Sequence, residues 1–350
     1  MISIVEDQDS DIIVSELFER NVLPNSANIL VTGAGGFLGS QIIIALNKIA
    51  RENPRVKVSS IDNFIRPEFR KLNLDNINFE ERDVCKPWIG NFSYTHILHL
   101  ASIASPIYYR KFPLQTLLSN FEGTKNVLDL SLKSNAKVLL MSSSEIYGDP
   151  VEAHIPTDES YRGNVSSVGP RSCYDEGKRV METLGWIYNS EFNSRIAIAR
   201  PFNFYGPGMR IDDKRVIPDF LNSIVNDLDL IIHSDGSPTR SFCYTSDAIL
   251  ALLLMVFSED PWQIFNIGNP DLEIDIYGLA LIFAEIGNRY KWNGKILVRE
   301  SEDSNYLINN PQRRVPNIDN IEKGLGWQPK IDLHTGIDRL INHQISDRLI

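Results

Sequence analysis

A tyrosine and a lysine, Tyr174 and Lys178, stand four residues apart in a segment that is predicted to be helical. Side chains at this spacing lie on one face of a helix, so the phenol and the ammonium are expected to be neighbours. A free tyrosine, with a pKa of about 10, is a poor base at neutral pH, but a nearby cation lowers that pKa. The pair could therefore take a proton from an alcohol. The chain has 12 tyrosines, so chance also produces this spacing, and the pair alone is not diagnostic.

Hydroxyl and carboxylate groups follow a short apolar run, residues 138–141, that is predicted to be a buried strand. They belong to Ser143, Ser144 and Glu145. Open α/β sheets bind ligands at the carboxyl ends of their strands, so these side chains are expected near a substrate. A serine hydroxyl can hold the substrate oxygen while the tyrosine removes its proton. In the alternative, the serines only form a turn and Glu145 is a solvated acid.

A glycine-rich turn follows the first predicted strand, residues 29–31, and precedes a helix predicted over residues 37–49. Gly33, Gly36 and Gly39 have the spacing G-x-x-G-x-x-G. The first glycine allows a tight turn, the second lets a pyrophosphate approach the backbone, and the third permits close packing of helix on strand. The unpaired N–H groups at the start of the helix then face the phosphates. The sequence therefore predicts a dinucleotide site.

An acid at the end of the second predicted strand distinguishes between two dinucleotides. Asp62 lies about 20 residues beyond the last glycine, where a carboxylate accepts hydrogen bonds from the ribose hydroxyls and repels a 2′-phosphate. The sequence therefore predicts NAD as the cofactor. Arg66, which could bind a 2′-phosphate, keeps NADP as an alternative. Asp83, after the third predicted strand, either faces the adenine or is a surface acid.

Short apolar runs alternate with amphipathic helical patterns through the first 200 residues. This alternation predicts an α/β fold, a doubly wound parallel sheet of Rossmann type covered by helices on both faces. Beyond Pro201 the alternation decays, which predicts a smaller, mixed α/β C-terminal lobe for the substrate. The predicted strands are residues 29–31, 56–61, 77–79, 97–100, 138–141 and 195–199. The predicted helices are residues 37–49, 114–132, 174–188, 217–225, 247–257, 276–286 and 335–343.

The same patterns divide the chain into three parts. Residues 1–27 are predicted to be a helical appendage docked on the main fold, with Ser10 or Asp11 as the N-cap. The NAD-binding Rossmann domain is predicted to span residues 28–200 and also to receive residues 241–266. Residues 201–240 and 267–350 are predicted to form the C-terminal lobe.

Composition and charge exclude several classes of protein. The chain has 35 basic and 45 acidic residues, a net charge of −10, which argues against a nucleic-acid partner. Its longest apolar stretch, residues 248–257, is shorter than the about 20 residues that span a bilayer, and its start does not resemble a signal peptide. Three cysteines without metal-ligand spacing predict reduced thiols, no metal site and a cytoplasmic protein.

Together these segments resemble the extended short-chain dehydrogenase/reductases that modify nucleotide sugars, from residue 28 to beyond Trp327. Besides the glycine turn and the Tyr174/Lys178 pair, the shared motif is Arg200-Pro201-Phe202-Asn203-Phe204-Tyr205-Gly206-Pro207. Within the family, three segments resemble the UDP-glucuronate decarboxylases (UDP-xylose synthases). They are His99-Leu100-Ala101-Ser102-Ile103-Ala104-Ser105-Pro106, Ser144-Glu145-Ile146-Tyr147-Gly148-Asp149-Pro150 and Gly169-Pro170-Arg171-Ser172-Cys173-Tyr174-Asp175-Glu176-Gly177-Lys178-Arg179.

Residue types at the strand end separate decarboxylases from related enzymes in this resemblance. Ser143 matches the hydroxyl of the catalytic triad, and Glu145 matches an acid that decarboxylases keep and 4-epimerases usually lack. The 4,6-dehydratases carry an aspartate where this chain has Ser144. A hydroxyl cannot readily replace the carboxylic acid that expels water, so dehydration is disfavoured.

Arginines and an asparagine in the C-terminal part match residues that hold the substrate in this family. Arg314 matches the active-site arginine, and a guanidinium could bind a carboxylate or stabilise an enolate. In the alternative, Arg313 and Arg314 are an exposed basic pair on a loop. Arg240 resembles the arginine that grips the nucleotide diphosphate, and Asn203 resembles a ligand of the same group.

The resemblance implies a complete set of site residues, with no metal. The catalytic residues would be Ser143, Glu145, Tyr174, Lys178 and Arg314. The NAD-binding residues would be Gly33, Gly36, Phe37, Leu38, Gly39, Asp62, Asn63, Asp83, Val84, Leu100, Ala101, Ser102, Asn120, Tyr174, Lys178 and Pro201. The substrate-binding residues would be Ser105, Tyr109, Ser144, Glu145, Arg171, Asn203, Arg240 and Arg314. Two residues depart from the family pattern: Gly208 replaces an arginine, and Asn317 replaces an acid or a serine.

The implied reaction is a redox-neutral decarboxylation of a UDP-hexuronate, from UDP-glucuronate to UDP-xylose or its 4-keto precursor, through transient oxidation at C4. A 4,6-dehydratase, a 4-epimerase or a 4-dehydrogenase/reductase of the same fold is an alternative. A non-catalytic nucleotide-sugar-binding protein is an alternative of another class. The resemblance also implies a homodimer formed by the helices predicted over residues 114–132 and 174–188, packed as a four-helix bundle.

Overall fold

A parallel sheet with flanking helices is the main feature of the computed structural model, which describes residues 2–66, 70–299 and 311–346. The strands are β1 (Ala27–Thr32), β2 (Val56–Asp62), β3 (Ile77–Glu81), β4 (His96–His99), β5 (Lys137–Met141), β6 (Ile196–Pro201), β7 (Phe204–Tyr205), β8 (Leu230–Ile232), β9 (Thr239–Ser241), β10 (Cys243–Tyr244), β11 (Trp262–Ile267), β12 (Glu273–Asp275), β13 (Ile296–Val298) and β14 (Arg313–Arg314). The α-helices are α1 (Ile4–Glu19), α2 (Phe37–Glu52), α3 (Pro106–Lys111), α4 (Pro113–Leu118), α5 (Thr124–Leu132), α6 (Ser172–Phe192), α7 (Val216–Val225), α8 (Thr245–Phe257), α9 (Ile276–Arg289), α10 (Asp319–Leu325) and α11 (Leu333–Ser346). A π-helical turn (Ser119–Gly123) and 3-10 turns (Ser144–Tyr147, Glu152–His154 and Pro270–Leu272) complete the helical elements of the described residues.

Seven strands form one parallel sheet in the order β11-β6-β5-β4-β1-β2-β3. Leu30 and Val31 of β1 are both fully buried although successive side chains of a strand point to opposite faces. Both faces of the sheet are therefore covered, and the predicted doubly wound α/β fold is confirmed. The strand order reverses between β1 and β4, and such a reversal marks the ligand-binding edge of an open sheet.

The segment 241–266 contributes to the same layer structure. Its strand β11 pairs with β6, and its helix α8 is buried along its whole length in the core cluster that includes the sheet residues. The apolar run 248–257 is therefore a core helix. Throughout the described residues, no helix is both long enough and apolar enough to cross a membrane. The domain boundaries stay a prediction.

Helix α1 docks on the main fold, as predicted, and packs against α2, α8 and α11. It begins earlier than expected. Ser3 is the N-cap, its hydroxyl accepting from the Glu6 N–H while the Glu6 carboxylate accepts from the Ser3 N–H. This capping box satisfies the first turn, so Ser10 and Asp11 lie inside the helix and their predicted capping role is wrong.

The helix predicted over residues 114–132 is interrupted by the π-helical turn between α4 and α5. The widened turn carries Asn120 and Gly123 to the buried side, where a Cβ on Gly123 would lie 2.7 Å from Val84. Asn120 there accepts a hydrogen bond of 2.9 Å from the hydroxyl of Ser102, which follows β4. The 3.6-residue apolar period of the sequence does not reveal such a local widening.

The C-terminal lobe has its own apolar cluster, formed mainly by α7, α9 and α11. The rings of Phe220 and Phe283 pack edge to face in it, with centroids 5.6 Å apart. A small sheet in the order β12-β9-β14 places Arg314 in register with Arg240. The predicted smaller, mixed lobe is confirmed, and its sheet directs two arginines toward the edge of the large sheet.

Candidate active site

One cavity of about 940 Å³ lies at the carboxyl ends of the central strands, and residues of the C-terminal lobe form its other side. All sequence-predicted site residues but Asn120 line it. They are Gly33, Gly36, Phe37, Leu38, Gly39, Asp62, Asn63, Asp83, Val84, Leu100, Ala101, Ser102, Ser105, Tyr109, Ser143, Ser144, Glu145, Arg171, Tyr174, Lys178, Pro201, Asn203, Arg240 and Arg314.

The glycine turn is packed so closely against neighbouring backbone that a side chain would not fit. Gly33 has a φ of +72°, and a Cβ there would lie 2.7 Å from the amide nitrogen of Ala101. A Cβ on Gly39 would overlap the carbonyl oxygen of Gly33. Gly36 is the N-cap of α2, and no side chain caps that first turn. The free N–H groups and the positive end of the helix therefore fit the pyrophosphate of a dinucleotide.

Asp62 lies beside this turn, at the end of β2. Its two carboxylate oxygens accept hydrogen bonds from the N–H groups of Gly35, at 2.9 Å, and Phe64, at 2.8 Å. Burial raises its pKa, and these backbone hydrogen bonds oppose the shift. The side chain is thus fixed at the end of β2, where a ribose is expected.

Arg66, the residue that kept NADP as an alternative cofactor, contacts other groups of the protein. Its guanidinium stacks on the ring of Tyr108 at 3.9 Å and lies 3.6 Å from a carboxylate oxygen of Asp213. The Arg66 side chain is 8% exposed and that of Asp213 is 4% exposed. A charge that a buried carboxylate already balances is less suited to a 2′-phosphate, so the arrangement favours NAD.

Two other residues predicted to bind the cofactor take different positions. Asp83 lines the cavity, and its carboxylate accepts a hydrogen bond of 2.9 Å from the Cys85 N–H. Asn120 is fully buried, lies outside the cavity lining, and donates a hydrogen bond of 2.9 Å to the carbonyl of Thr116. Asn120 therefore supports Ser102 from the buried side, and its predicted contact with the cofactor stays a prediction.

Ser143, Tyr174 and Lys178 meet at the end of β5. Ser143 accepts a hydrogen bond from the Glu145 N–H at 3.1 Å and is hydrogen-bonded to Tyr174. The Lys178 ammonium donates to the carbonyl of Met141 at 2.6 Å and lies 5.7 Å from the centre of the Tyr174 ring. The three side chains thus surround one point at the ligand-binding edge of the sheet.

Burial determines the proton affinities of these groups. It raises the pKa of Tyr174 to about 12, although the hydrogen bond with Ser143 opposes the shift. It lowers the pKa of Lys178 to about 7. Removal from water disfavours both charged forms, so the net shift of the pKa of the phenol is upward in this arrangement. The predicted effect of the lysine on the phenol stays a prediction.

Glu145 joins two arginines from distant parts of the chain. Arg314 donates to its two oxygens, from Nη1 at 2.5 Å and from Nη2 at 2.9 Å, and Arg171 donates to Oε2. Burial alone would raise the pKa of Glu145, but the charges of Arg314 and Arg171 hold it well below its usual range. The two guanidiniums line the cavity that Tyr174 also lines, and both are bonded to the single carboxylate of Glu145. Because one carboxylate does not balance two guanidiniums, this wall can accept an anionic group of a ligand.

The basic pair Arg313 and Arg314 is divided between two environments. Arg314 is 4% exposed and lines the cavity, whereas Arg313 is bonded to Glu152 and Glu273 and does not line it. The alternative of an exposed basic pair is therefore excluded for Arg314. β-strand alternation turns the neighbouring side chains to opposite sides of β14.

The residues predicted to bind substrate from the other side of the cavity are held by the backbone. Arg240 donates to the carbonyl of Thr239 at 2.7 Å, and Asn203 donates to the carbonyl of Ser241 at 2.9 Å. The hydroxyl of Ser105 is buried and has no hydrogen-bond partner among the described residues. These polar groups are therefore placed for a diphosphate and a sugar, and their roles stay predictions.

The two departures from the family pattern have different structural settings. Gly208 has a φ of +85°, and a Cβ there would lie 2.8 Å from the side-chain amide of Gln41. That amide donates to Glu6 of α1 at 2.7 Å, so α1 helps to fill the space that a larger residue at 208 would need. Asn317 lies outside the cavity lining, and its side chain accepts from the Asp319 N–H at 2.9 Å.

A buried polar network behind the serines was not recognised from the sequence. Ser142 donates to Glu182 at 2.5 Å, and Glu182 also accepts from Arg200 at 2.6 Å. Arg200 donates to the hydroxyl of Tyr147 at 2.8 Å, which donates to Asn266 at 2.7 Å. The network joins the ends of β5, β6 and β11. Its only signal was polar residues at the ends of buried strands.

Residues 29–268, more than half of the chain, match the model of the NAD dependent epimerase/dehydratase family. The chain belongs to this family. Its members depend on NAD, so the cofactor predicted from the glycine turn and Asp62 is confirmed. The extended short-chain dehydrogenase/reductase resemblance is confirmed as well.

Individual relatives match over most of their length. UDP-glucuronic acid decarboxylase 5 of Arabidopsis thaliana is 38% identical over 327 residues, which are 92% of this chain and 91% of that protein. UDP-glucuronic acid decarboxylase 1 of Xenopus tropicalis is 36% identical over 320 residues, 90% of this chain and 71% of that protein. The similarity therefore extends well beyond the cofactor turn.

Solved structures of similar shape include several epimerases. UDP-glucose 4-epimerase of Thermotoga maritima, solved with UDP-glucose, has a TM-score of 0.78 at 23% identity and covers 92% of this chain and 100% of its own. UDP-glucuronic acid 4-epimerase of Bacillus cereus, solved with UDP-glucuronic acid and NAD, has a TM-score of 0.73 at 23% identity, with the same coverage. At this identity the likeness shows the fold alone.

Proposed function

We propose that this enzyme decarboxylates a UDP-hexuronate. It would convert UDP-glucuronate to UDP-xylose without net oxidation or reduction, or release the 4-keto precursor and leave NAD in its reduced form. The observation that carries the proposal is that Arg171 and Arg314 line the same cavity as Tyr174. A sugar carboxylate complements the charge of these guanidiniums, whereas a neutral hexose offers them nothing at that position. Relatives named UDP-glucuronic acid decarboxylase, at 38% identity, support the same substrate.

Proton removal at C4 is assigned to Tyr174, with Ser143 holding the same substrate oxygen. NAD, held by the glycine turn and Asp62, supplies the hydride acceptor and later the donor when it is bound. The Lys178 side chain is fixed by its hydrogen bond to the carbonyl of Met141. We assign it to position groups on the side of the cavity that Tyr174 lines. Tyr174 accepts the proton of the substrate alcohol as a phenolate, so the phenol must first give up its own proton to solvent.

Oxidation at C4 has to precede the loss of CO2 because it converts the hexuronate to a β-keto acid. Bond cleavage then leaves an enolate, which is far more stable than an isolated carbanion. A proton added at C5 completes the 4-keto pentose, which hydride return would convert to UDP-xylose. Arg314 is assigned to hold the carboxylate and then the charge of the enolate. Glu145 is a poor proton donor, because Arg314 and Arg171 keep its pKa well below the usual range, and we assign it to orient these arginines.

Other reactions of the same fold fit the site less well. A 4,6-dehydratase needs an acid that expels water, and the cavity presents the hydroxyl of Ser144 at the position predicted for that acid. A 4-epimerase or a 4-dehydrogenase/reductase that acts on a neutral hexose would not need two guanidiniums beside Tyr174. A non-catalytic binding protein would not need the Ser143, Tyr174 and Lys178 arrangement.

Mass spectrometry of products from a panel of nucleotide hexoses and hexuronates tests the proposal. We expect UDP-glucuronate to lose the mass of CO2 without added reductant, and UDP-glucose to remain unchanged. Loss of water from a hexose would indicate a dehydratase. A product of unchanged mass that separates from the substrate in liquid chromatography would indicate an epimerase. Stoichiometric change in nicotinamide absorbance would indicate a net dehydrogenase or reductase. An unchanged panel with measurable ligand binding would support the non-catalytic alternative.

Two copies of the chain are further proposed to associate through α4, α5, α6 and the π-helical turn. Helices α4 and α6 pack side by side, and this part of the surface carries large, partly exposed apolar side chains. They are Leu114, Leu117, Phe121, Leu132, Trp186 and Phe192. A symmetric dimer would remove such a surface from water.

The cytoplasm is the compartment proposed for this protein, because the three cysteines are free thiols.

A further inference from the structure

Asp175, the residue after Tyr174, is a buried carboxylate that the proposed mechanism does not use. It is 7% exposed. Its Oδ2 lies 3.6 Å from Nε of Arg171, and its Oδ1 has no hydrogen-bond partner among the described residues. Glu145, in contrast, is bonded through both oxygens to Arg171 and Arg314. Of the two acids beside these arginines, Asp175 is therefore the one that is weakly held.

The formal charges of these four side chains cancel, since two guanidiniums face two carboxylates. A hexuronate bound at Arg314 adds a third carboxylate to this largely buried cluster. A buried charge without a counter-charge is costly, and a nearby like charge favours protonation of a carboxylate. One proton taken up from solvent would restore the balance.

We infer that Asp175 takes up that proton when the substrate carboxylate binds, which leaves both guanidiniums balanced by Glu145 and the substrate. The inference rests on the proposed function, because it requires a hexuronate. A solvent proton bonds to one carboxylate oxygen of Asp175, and no other bond forms or breaks. Asp175 does not line the cavity and acts through Arg171, so it is a positioning residue.

The surroundings of Asp175 support this assignment. Titratable or charged groups that face it come from α6 and its N-cap, from the 3-10 turn after β5, from β14 and from α3, whereas α4 carries none. They are Arg171, Cys173, Tyr174, Glu145, Arg314 and Tyr109. Burial, followed by the charge of Glu145, raises the pKa of Asp175 to about 7, although the arginines oppose the shift. The carboxyl group is therefore mostly ionised at about pH 8 and can still accept a proton when a further negative charge arrives.

Proton uptake can be counted by titration calorimetry of the NAD-loaded Tyr174→Phe variant, in which turnover is blocked. Binding of UDP-glucuronate is measured at about pH 8 in two buffers of different ionisation enthalpy, with UDP-glucose as the ligand that lacks only the carboxylate. We expect uptake of about one proton with UDP-glucuronate and almost none with UDP-glucose. Equal proton counts for the two ligands would overturn the inference.

Two variants on α6 locate the proton. Adding Asp175→Asn is expected to abolish the uptake, whereas adding Glu176→Gln, at the neighbouring residue that pairs with Arg179, is expected to preserve it. Uptake that survives Asp175→Asn would assign the proton elsewhere and refute the role of Asp175.

A measurement that needs no substitution at 175 covers the case in which that variant does not fold. Linkage requires the Kd of UDP-glucuronate in the Tyr174→Phe enzyme to rise about eightfold from pH 7.5 to 8.5, relative to that of UDP-glucose. A ratio that does not change with pH contradicts the inference. Release of CO2 by the unaltered enzyme is tested separately, so a decarboxylase without proton uptake would retain the proposed function and lose only this inference.

Discussion

The side chain of Tyr174 stacks on that of Tyr109, with ring centroids 5.3 Å apart, and is hydrogen-bonded to Ser143. Its pKa of about 12 makes the phenolate a strong base that is rarely formed in the resting site. Lys178, with a pKa of about 7, loses its own proton near neutral pH. Residue types alone predicted the pair, but the inverted order of the two pKa values follows from burial, which spacing in the sequence does not reveal.

Replacing Tyr174 by phenylalanine removes one oxygen and keeps the ring stack with Tyr109. We expect kcat for UDP-glucuronate decarboxylation to fall about 10²–10⁴-fold, because a positioned base typically contributes that much. Affinity for UDP-glucose should change little. Tyr161→Phe, at a ring that stacks on His154 and does not line the cavity, is the matched control. Full activity of Tyr174→Phe in a product assay would exclude the phenol as the base.

Replacing Arg314 by methionine keeps much of the side-chain volume and removes the guanidinium. We expect substrate oxidation to persist while the release of CO2 falls at least about 10²-fold, because the enolate loses its charge partner. Reduced cofactor should then accumulate, visible in its near-ultraviolet absorbance. Arg313→Met, which alters the neighbour bonded to Glu152 and Glu273, should leave both readouts unchanged. Loss of oxidation together with decarboxylation in Arg314→Met would instead indicate a role in binding.

At the scale of secondary-structure elements, the regular alternation of strands and helices could be predicted from the sequence, whereas local irregularities within a helix could not. The strands and helices that position the cavity follow from apolar periodicity, and the glycine turn follows from spacing that only glycine tolerates. The π-helical turn that places Asn120 under Ser102 has no such signature. The predicted start of α1 at Ser10 or Asp11 lies too late in the chain, because the capping box formed by Ser3 and Glu6 begins the helix more than one turn earlier.

Helix α1 is attached through a buried acid as well as through apolar contacts. Glu6 is fully buried and accepts hydrogen bonds from Ser3, Gln41 and Arg70. Arg70 in turn donates its backbone N–H to the carbonyl of Gly35, in the cofactor turn, at 3.3 Å. Burial alone would raise the pKa of Glu6, but these hydrogen bonds and the charge of Arg70 lower it below its usual value.

Replacing Glu6 by glutamine is expected to reduce the free energy of unfolding by about 1–2 kcal/mol at about pH 7, a value discounted because Arg70 is partly exposed. A carboxylate with a lowered folded pKa stabilises the protein above the unfolded pKa, about 4.3, and this stabilisation is lost as the pH falls through the folded pKa. The difference from the unaltered protein should therefore shrink at about pH 4. Urea denaturation at both pH values measures it, with the exposed Glu19→Gln on the same helix as control. A difference that grows on acidification would contradict the assignment.

At the scale of the whole molecule, the site exists only where two apolar cores meet. One cluster includes the sheet, α1, α2 and α8, and the other includes α7, α9 and α11. Tyr174 and Glu145 belong to the sheet side, whereas Arg314 reaches them from β14 of the lobe. Contacts between residues separated by 169 positions, such as Glu145 and Arg314, follow from the folded topology. The family resemblance predicted Glu145 and Arg314 as site residues, but only the folded structure shows that they are in contact.

Association of two copies is the remaining question at this scale, and Trp186 offers the sharpest test because it is 59% exposed on α6. Trp186→Asp places a charge in the proposed apolar contact, so we expect light scattering after size-exclusion chromatography to change from twice the mass of one chain to once that mass. Leu281→Asp, at a 49% exposed residue of α9, is the matched control and should remain dimeric. A charge destabilises an association only where water is excluded around it. Two results would therefore exclude α4–α6 as the interface. One is an unaltered protein with the mass of one chain, and the other is a dimer that only Leu281→Asp disrupts.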